Sequence, residues 1–258
     1  MIASIRQKVK QGLVLSGTFL NLGSPLTAEI AGKAGFDWVL IDCEHGAGDH
    51  SELVHQLQAI GCTQAAPIVR IAWNDPPRFK RVLDLGAAGV MVPYINTPDE
   101  ALQAVAAMRY PPKGIRGVAM MNRACEFGKG FDAYFAQAND LLLTVVQIET
   151  AQAVDAADSI AAVDGVDVLF IGPTDLSASM GIIRDVENPR FVEAVHRVAA
   201  ACRNRGKAAG ILLAKPEQIA PHVEHGFTFI AIGSDGGVVQ ESMRRLAGSF
   251  QQFKPPQQ

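Results

Sequence analysis

Short apolar runs rich in branched residues alternate with longer amphipathic stretches from one end of the chain to the other. The runs at 16–21, 38–43, 67–71, 90–94, 142–148, 167–171, 209–213 and 229–232 predict eight strands. Several of them (VLFIG, GVMVP, FIAIG) are nearly continuous hydrophobes rather than alternating ones, the pattern of parallel strands covered on both faces. Between them, 51–60, 77–85, 99–109, 151–162 and 189–205 repeat apolar positions at helical spacing. Pro98 and Pro189 stand at helix starts, and Gly61, Gly86 and Gly206 at helix ends, as capping predicts.

Eight strand–helix units predict a single α/β domain, a (β/α)₈ TIM barrel using the whole chain, 1–258, with a flexible tail from about 251. An open doubly wound sheet is the runner-up, but no GxGxxG follows the first strand. One segment breaks the rhythm. The stretch PPKGIRGVAMMNRACEFGKG, 111–130, is too long and Gly-rich for a plain connector, and is expected to be functional and to lie over the barrel mouth.

Composition narrows the function classes. A formal net charge of -3 argues against a nucleic-acid partner. No apolar run approaches the ~18 residues of a membrane span, and MIASIRQKVKQG lacks a signal peptide's apolar core. The cysteines at 43, 62, 125 and 202 form no CxxC pair or zinc spacing, so a reducing, cytoplasmic setting is expected.

In a barrel enzyme the chemistry gathers at the C-terminal ends of the strands. There the chain places Asp42, Cys43, Glu44 and His45 after the second strand, Arg70 after the third, Gln147 and Glu149 in the fifth, and Gly172, Thr174 and Asp175 after the sixth. Glu149 and Asp175, on neighbouring strand ends, suit one hard cation, magnesium or manganese rather than zinc. The bland alternative is that each caps a helix. Arg70 suits a carboxylate or developing enolate, or a structural salt bridge to Asp42 or Glu44. His45 fits a loop-borne acid/base, though a lone histidine is more often a polar contact. Asp84 is a candidate for orienting a histidine or a mere helix-surface charge. No lysine falls in a predicted strand, which disfavours a Schiff base. The other histidines, at 50, 55, 196, 222 and 225, read as structural. Gly236–Gly237 after the last strand is an anion site at a helix start or only a turn.

The stretches Gly35-Phe36-Asp37-Trp38, Asp42-Cys43-Glu44-His45-Gly46, Gly86 to Pro93 (GAAGVMVP), Gln147-Ile148-Glu149-Thr150 and Phe170 to Ser177 (FIGPTDLS) together resemble the metal-dependent (class II) pyruvate aldolases. That family includes 4-hydroxy-2-oxoheptanedioate aldolase and 2-keto-3-deoxy sugar-acid aldolases, and the likeness runs from about residue 12 to about 250. It implies reversible aldol cleavage of a 4-hydroxy-2-keto acid to pyruvate, or a close 2-keto acid, and an aldehyde. It also implies one divalent ion, Mg²⁺, Mn²⁺ or Co²⁺, held by Glu149 and Asp175, and no organic cofactor. Gln147, Gly172, Thr174 and Asp175 would hold substrate, and Leu212 would help set its length. Arg70 would stabilise the enolate, and His45 would act as base with its basicity raised by Asp84. Asp42 and Glu44 would support these groups. Such proteins resemble homo-hexamers whose barrels exchange helices, here the C-terminal one, so Asp84 would act from a neighbour. Thr174 stands where many relatives have alanine, and Ala119 to Asn122 is bulkier than is common. A related enolate-forming lyase (acyl-CoA lyase or decarboxylase type) and a non-catalytic 2-keto-acid-binding barrel are the competing readings.

Overall fold

The computed structural model describes residues 4–253. Eight strands close into a parallel barrel in sequence order, β1 (Leu15–Leu20), β2 (Trp38–Asp42), β3 (Ala66–Arg70), β4 (Gly89–Val92), β5 (Leu143–Ile148), β6 (Val168–Ile171), β7 (Ala208–Leu213) and β8 (Phe227–Ser234). Every strand foreseen in the sequence is present, with ends shifted by at most two residues. Helices α1 (Ile5–Lys10), α2 (Pro25–Lys33), α3 (His50–Ile60), α4 (Pro76–Asp84), α5 (Pro98–Met108), α6 (Phe131–Leu141), α7 (Ala151–Asp155), α8 (Ala157–Ala161), α9 (Pro173–Ser179), α10 (Pro189–Arg205), α11 (Ile219–Glu224) and α12 (Asp235–Gly248) complete the described chain. The helix expected over 151–162 is broken at Ala156 into α7 and α8.

Two cores hold the barrel. Val39, Ile41, Val69, Val90, Val146, Leu169 and Ile211 face the surrounding helices, while Phe19, Trp38, Leu40, Ile68, Met91, Val145, Phe170 and Phe229 fill the interior. This division follows the two-residue period of a strand, and burial on both faces explains the continuous apolar runs. Trp38 stacks on Phe229 with centroids 4.1 Å apart. It fits because Gly17, its register partner on β1, has no side chain; a Cβ there would lie 2.1 Å from the indole. The N-terminal end is plugged by α1, whose buried Arg6 donates to Asp167 at 2.8 Å while Ile5 and Val9 join the interior core.

Helix ends obey local chemistry. Thr97 accepts from the Glu100 N–H in a capping box with Pro98 at the first helical position, and Gly206 ends α10 at φ 63°.

The long segment 111–130 does not cover the mouth. It follows a helix rather than a strand, and α5 has already carried the chain back to the N-terminal end of the barrel. There Arg116 donates to Asp84, and Arg123 donates to the carbonyls of Leu85 and Leu57 at the C-terminal ends of α4 and α3. Of the tail expected to be flexible from 251, Gln251–Phe253 form a 3₁₀ turn after α12; 254–258 lie outside the described residues. No described helix is long and apolar enough to cross a membrane.

Candidate active site

The C-terminal strand ends surround a cavity of about 730 Å³. Of the residues singled out in the sequence, Asp42, His45, Arg70, Gln147, Glu149, Gly172, Thr174, Asp175 and Leu212 line it. They come from β2, β3, β5, β6 and β7, and parallel pairing in register brings these strand ends to one face. Asp42 and Arg70, for example, are direct register partners.

Arg70 makes the salt bridges that the structural reading expects and also forms a wall of the cavity. Its Nε and Nη2 donate to the two Asp42 oxygens at 3.0 and 2.7 Å, a planar fork-to-carboxylate match. Its Nη1 lies 3.0 Å from Glu44 Oε2, which has no aligned hydrogen bond. Burial opposes charge on Asp42, but the hydrogen bonds and charge of Arg70 outweigh it and hold the carboxyl below its usual range. Glu44 goes the other way: burial, only partly offset by Arg70, pushes it up.

Glu149 is 2% exposed. Burial pushes its carboxyl up to about 7, the Tyr94 N–H opposes this, and the charges of Asp175 and Glu44 add to it. Its Oε1 accepts from Gln147 Nε2 at 2.8 Å and its Oε2 from the Tyr94 N–H at 3.1 Å. Neither Glu149 nor Asp175 caps a helix: Thr150 caps α7, and α9 starts from Gly172 without a side-chain cap. The helix-cap alternative therefore falls away. Two clustered carboxylates, one nearly excluded from water, have the excess negative charge and oxygen donors that suit a divalent cation. Among the described residues no set of three His, Cys, Asp or Glu gathers to hold a metal. An ion on this pair would thus keep positions open for other oxygens.

His45 is the histidine of this cavity. Its side chain is largely exposed, 4.0 Å from Glu44 through Nε2, and its backbone N–H donates to Asp42 Oδ1. Asp84 is not nearby. It ends α4 at the opposite, N-terminal end of the barrel, where its Oδ1 accepts from the buried Arg116 at 2.9 Å. It therefore raises the basicity of no histidine within its own chain. The Gly236–Gly237 turn offers no anion cradle either. The Gly236 N–H donates to Asn21 Oδ1 and Asp235 Oδ1, and the Gly237 N–H to the capping Ser234 hydroxyl.

Sequence reasoning missed three features of the site. Tyr94, at φ 52°, supplies its N–H to Glu149 and brings its hydroxyl to 3.5 Å from Asp175; it was read as part of a strand. Asn21 directly follows β1 on the cavity wall, where the strand-end rule alone would have found it. Arg184, in the loop before α10, carries no motif that marks it.

Comparison with known proteins places this arrangement. Residues 15–242 match the family model described as HpcH/HpaI aldolase/citrate lyase. The chain is 42% identical over 234 residues, 91% of each chain, to 5-keto-4-deoxy-D-glucarate aldolase of Salmonella arizonae. Its fold is similar to the crystal structure of an HpcH/HpaI aldolase/citrate lyase family protein from Burkholderia cenocepacia J2315, with TM-score 0.91, 37% identity and coverage of 96% and 98%. It is also similar to an HpcH/HpaI aldolase from Desulfitobacterium hafniense DCB-2, with TM-score 0.90, 30% identity and 98% of both chains covered. A barrel whose mouth gathers Arg70, His45, Glu149 and Asp175, and which aligns over nearly its whole length with these proteins, belongs to the HpcH/HpaI aldolase/citrate lyase family.

Proposed function

We propose that this carbon–carbon lyase cleaves a 4-hydroxy-2-keto acid to pyruvate and an aldehyde with the help of a divalent ion, Mg²⁺, Mn²⁺ or Co²⁺, and no organic cofactor. One observation carries the reading: the clamped Arg70 guanidinium and the Glu149–Asp175 carboxylate pair wall the same cavity. Glu149 and Asp175 would hold the ion, which when bound supplies Lewis-acid polarisation of the keto oxygen. Arg70, fixed by Asp42, stabilises negative charge arising on that oxygen, and because it is already positioned it needs little reorganisation. Gln147, whose Oε1 is buried without a protein partner, and the backbone of Gly172, Thr174 and Asp175 hold the keto-acid end, with Leu212 along the chain. His45 takes the proton of the 4-hydroxyl. The C3–C4 bond breaks, its electron pair stays on C3 of the pyruvate enolate, and C4 leaves as the aldehyde carbon. Return of a proton to C3 completes pyruvate.

The substrate named for the Salmonella relatives, 5-keto-4-deoxy-D-glucarate, is the first to test; the same bond cleavage would yield pyruvate and tartronate semialdehyde. The reading includes assembly as a homo-oligomer, expected to be a hexamer, in the cytoplasm. It is supported by α12, which buries no side chain and exposes Val238, Met243 and Leu246, and by the exposed Leu26 and Ile30 on α2. Asp84 would then meet a His45 only across a subunit boundary. The test is metal-stripped protein with pyruvate in D₂O. Exchange of the methyl protons, followed by NMR, should appear on adding Mg²⁺ or Mn²⁺; its absence with every divalent ion in folded protein removes the reading.

A further inference from the structure

One residue reaches both carboxylates of the site. Tyr94 follows Pro93 after β4 at φ 52°, the left-handed region that a bulky side chain rarely enters. In that conformation its N–H donates to Glu149 Oε2 at 3.1 Å, and its hydroxyl comes to 3.5 Å from Asp175 Oδ1. The turn is held by its surroundings. The Tyr94 carbonyl accepts from Asn96 Nδ2 at 3.0 Å, and Asn96 Oδ1 accepts from the hydroxyl of Thr150, the residue after Glu149. The phenol ring lies beside Trp73, with centroids 6.0 Å apart. Strain of this kind persists only where the surroundings over-determine it, and it clusters at functional sites.

The two carboxylates are held unequally. Glu149 accepts on both oxygens, from Gln147 Nε2 and from the Tyr94 N–H, and is almost wholly buried. Asp175 is half-buried in the first turn of α9, and among the described residues the Tyr94 hydroxyl is the one donor in reach of its side chain. Facing a carboxylate, a phenol at neutral pH can only donate. At 3.5 Å the contact is long for an O–H···O bond, so it orients the carboxylate more than it clamps it. We propose that Tyr94 is a positioning residue of the metal site: its hydroxyl engages Asp175 Oδ1 so that the carboxylate meets a divalent ion beside Glu149, and this sets the affinity for that ion. The inference rests on Glu149 and Asp175 being the ligands, and deepens that reading by naming the group that orients the second of them. Groups that hydrogen-bond a ligand tune metal affinity in this way. Tyr94 serves Glu149 through its backbone, which a side-chain substitution leaves in place, so Tyr94→Phe isolates the part played at Asp175.

The test is titration of metal-stripped protein with Mn²⁺, read from the electron paramagnetic resonance signal of the free ion, for wild type, Tyr94→Phe and Glu149→Gln. Tyr94→Phe should weaken Mn²⁺ binding about tenfold, the lower end of the cost of losing a group that orients a metal ligand. Its metal-free melting temperature should stay at the wild-type value, because ring and backbone are kept. In pyruvate proton exchange the Mn²⁺ concentration giving half the maximal rate should rise by the same factor, with the rate at saturating Mn²⁺ within about twofold of wild type. Unchanged Mn²⁺ affinity in Tyr94→Phe overturns the role of Tyr94, and so does a loss of affinity matched by a fall in the metal-free melting temperature. If wild type binds Mn²⁺ and Glu149→Gln does not, either of those results removes Tyr94 alone and leaves the metal reading in place. A wild type that binds no Mn²⁺ overturns the metal reading, and this inference with it.

Discussion

Arg70 and Asp42 sit opposite one another on β3 and β2 and are joined by two hydrogen bonds, from Nε at 3.0 Å and Nη2 at 2.7 Å. Asp42 Oδ1 also accepts the backbone N–H groups of Glu44 and His45. One carboxylate therefore orients the Arg70 guanidinium and shapes the turn that carries His45.

Breaking that link should separate catalysis from metal binding. Arg70→Ala is expected to lower kcat by about 10²–10³, the cost of losing one preorganised donor at a developing oxyanion, with Mn²⁺ affinity within a few-fold of wild type. Arg70→Lys keeps the charge but loses the fork, and should recover little. Asp42→Ala leaves Arg70 with only the poorly aligned Glu44. It should lose stability by roughly 3 kcal/mol, as when one partner of a buried pair is removed. Steady-state kinetics, Mn²⁺ titration and urea unfolding check these outcomes; near-normal turnover of Arg70→Ala would take Arg70 out of the mechanism.

Gly172 admits Glu149 to the site. A Cβ at 172 would stand 2.6 Å from Glu149 Oε1 and 2.9 Å from its Cγ. Because Glu149 is buried and bonded on both oxygens, it has little room to retreat. Gly172→Ala is therefore expected to weaken Mn²⁺ binding at least tenfold while the barrel stays folded, as judged by circular dichroism. Unchanged Mn²⁺ affinity would show that Glu149 is not held as a ligand.

The barrel was legible because each strand is buried on both faces, so its apolar run survives without any need to know its partners. The strand-end rule then found Asp42, Arg70, Glu149 and Asp175 from local sequence. It failed where the relevant information is not local. Tyr94 reaches Asp175 only because its backbone turns to positive φ after β4, and Arg184 enters the wall through a turn pinned by Ser177. The 111–130 segment was misplaced because its length signals function but not the end of the barrel. That end is set by α5, whose direction has to be followed down from the mouth. Asp84 stands apart from the cavity for the same reason: the helix that carries it runs away from the mouth.

Asp84 has a measurable structural role within its own barrel. Its partner Arg116 is wholly buried, with its guanidinium 4.3 Å from the Tyr110 ring centroid. Asp84→Ala leaves that cation with a Tyr134 hydroxyl and two aromatic rings, and should destabilise the fold by about 2–3 kcal/mol. Asp84→Asn keeps an acceptor and should cost less. If Asp84 also acts on a neighbouring His45, Asp84→Asn should lower kcat out of proportion to its change in melting temperature. A kcat that follows only the loss of folded protein would confine Asp84 to the Arg116 pair.

Glu149 is expected to make stability depend on pH and, as a metal ligand, on divalent ions, with a definite sign. Burial raises its folded-state pKa to about 7 from an ordinary value of 4.5. Between those values the native state binds more protons than the unfolded state, so stability falls as pH rises. In metal-free protein its contribution is fully present below pH 4.5 and is lost as pH rises to 7, a change on the order of 3 kcal/mol. A divalent ion binds the ionised carboxylate, so the stabilisation by Mn²⁺ should grow over the same interval and become largest above pH 7. Melting curves of wild type and Glu149→Gln from pH 5 to 8, with and without Mn²⁺, check this. The difference between the two metal-free proteins should shift toward the Gln variant as pH rises, and Mn²⁺ should reverse that shift for wild type only. A pH-independent difference would mean that Glu149 is already ionised without a metal, and that the cavity compensates its charge by itself.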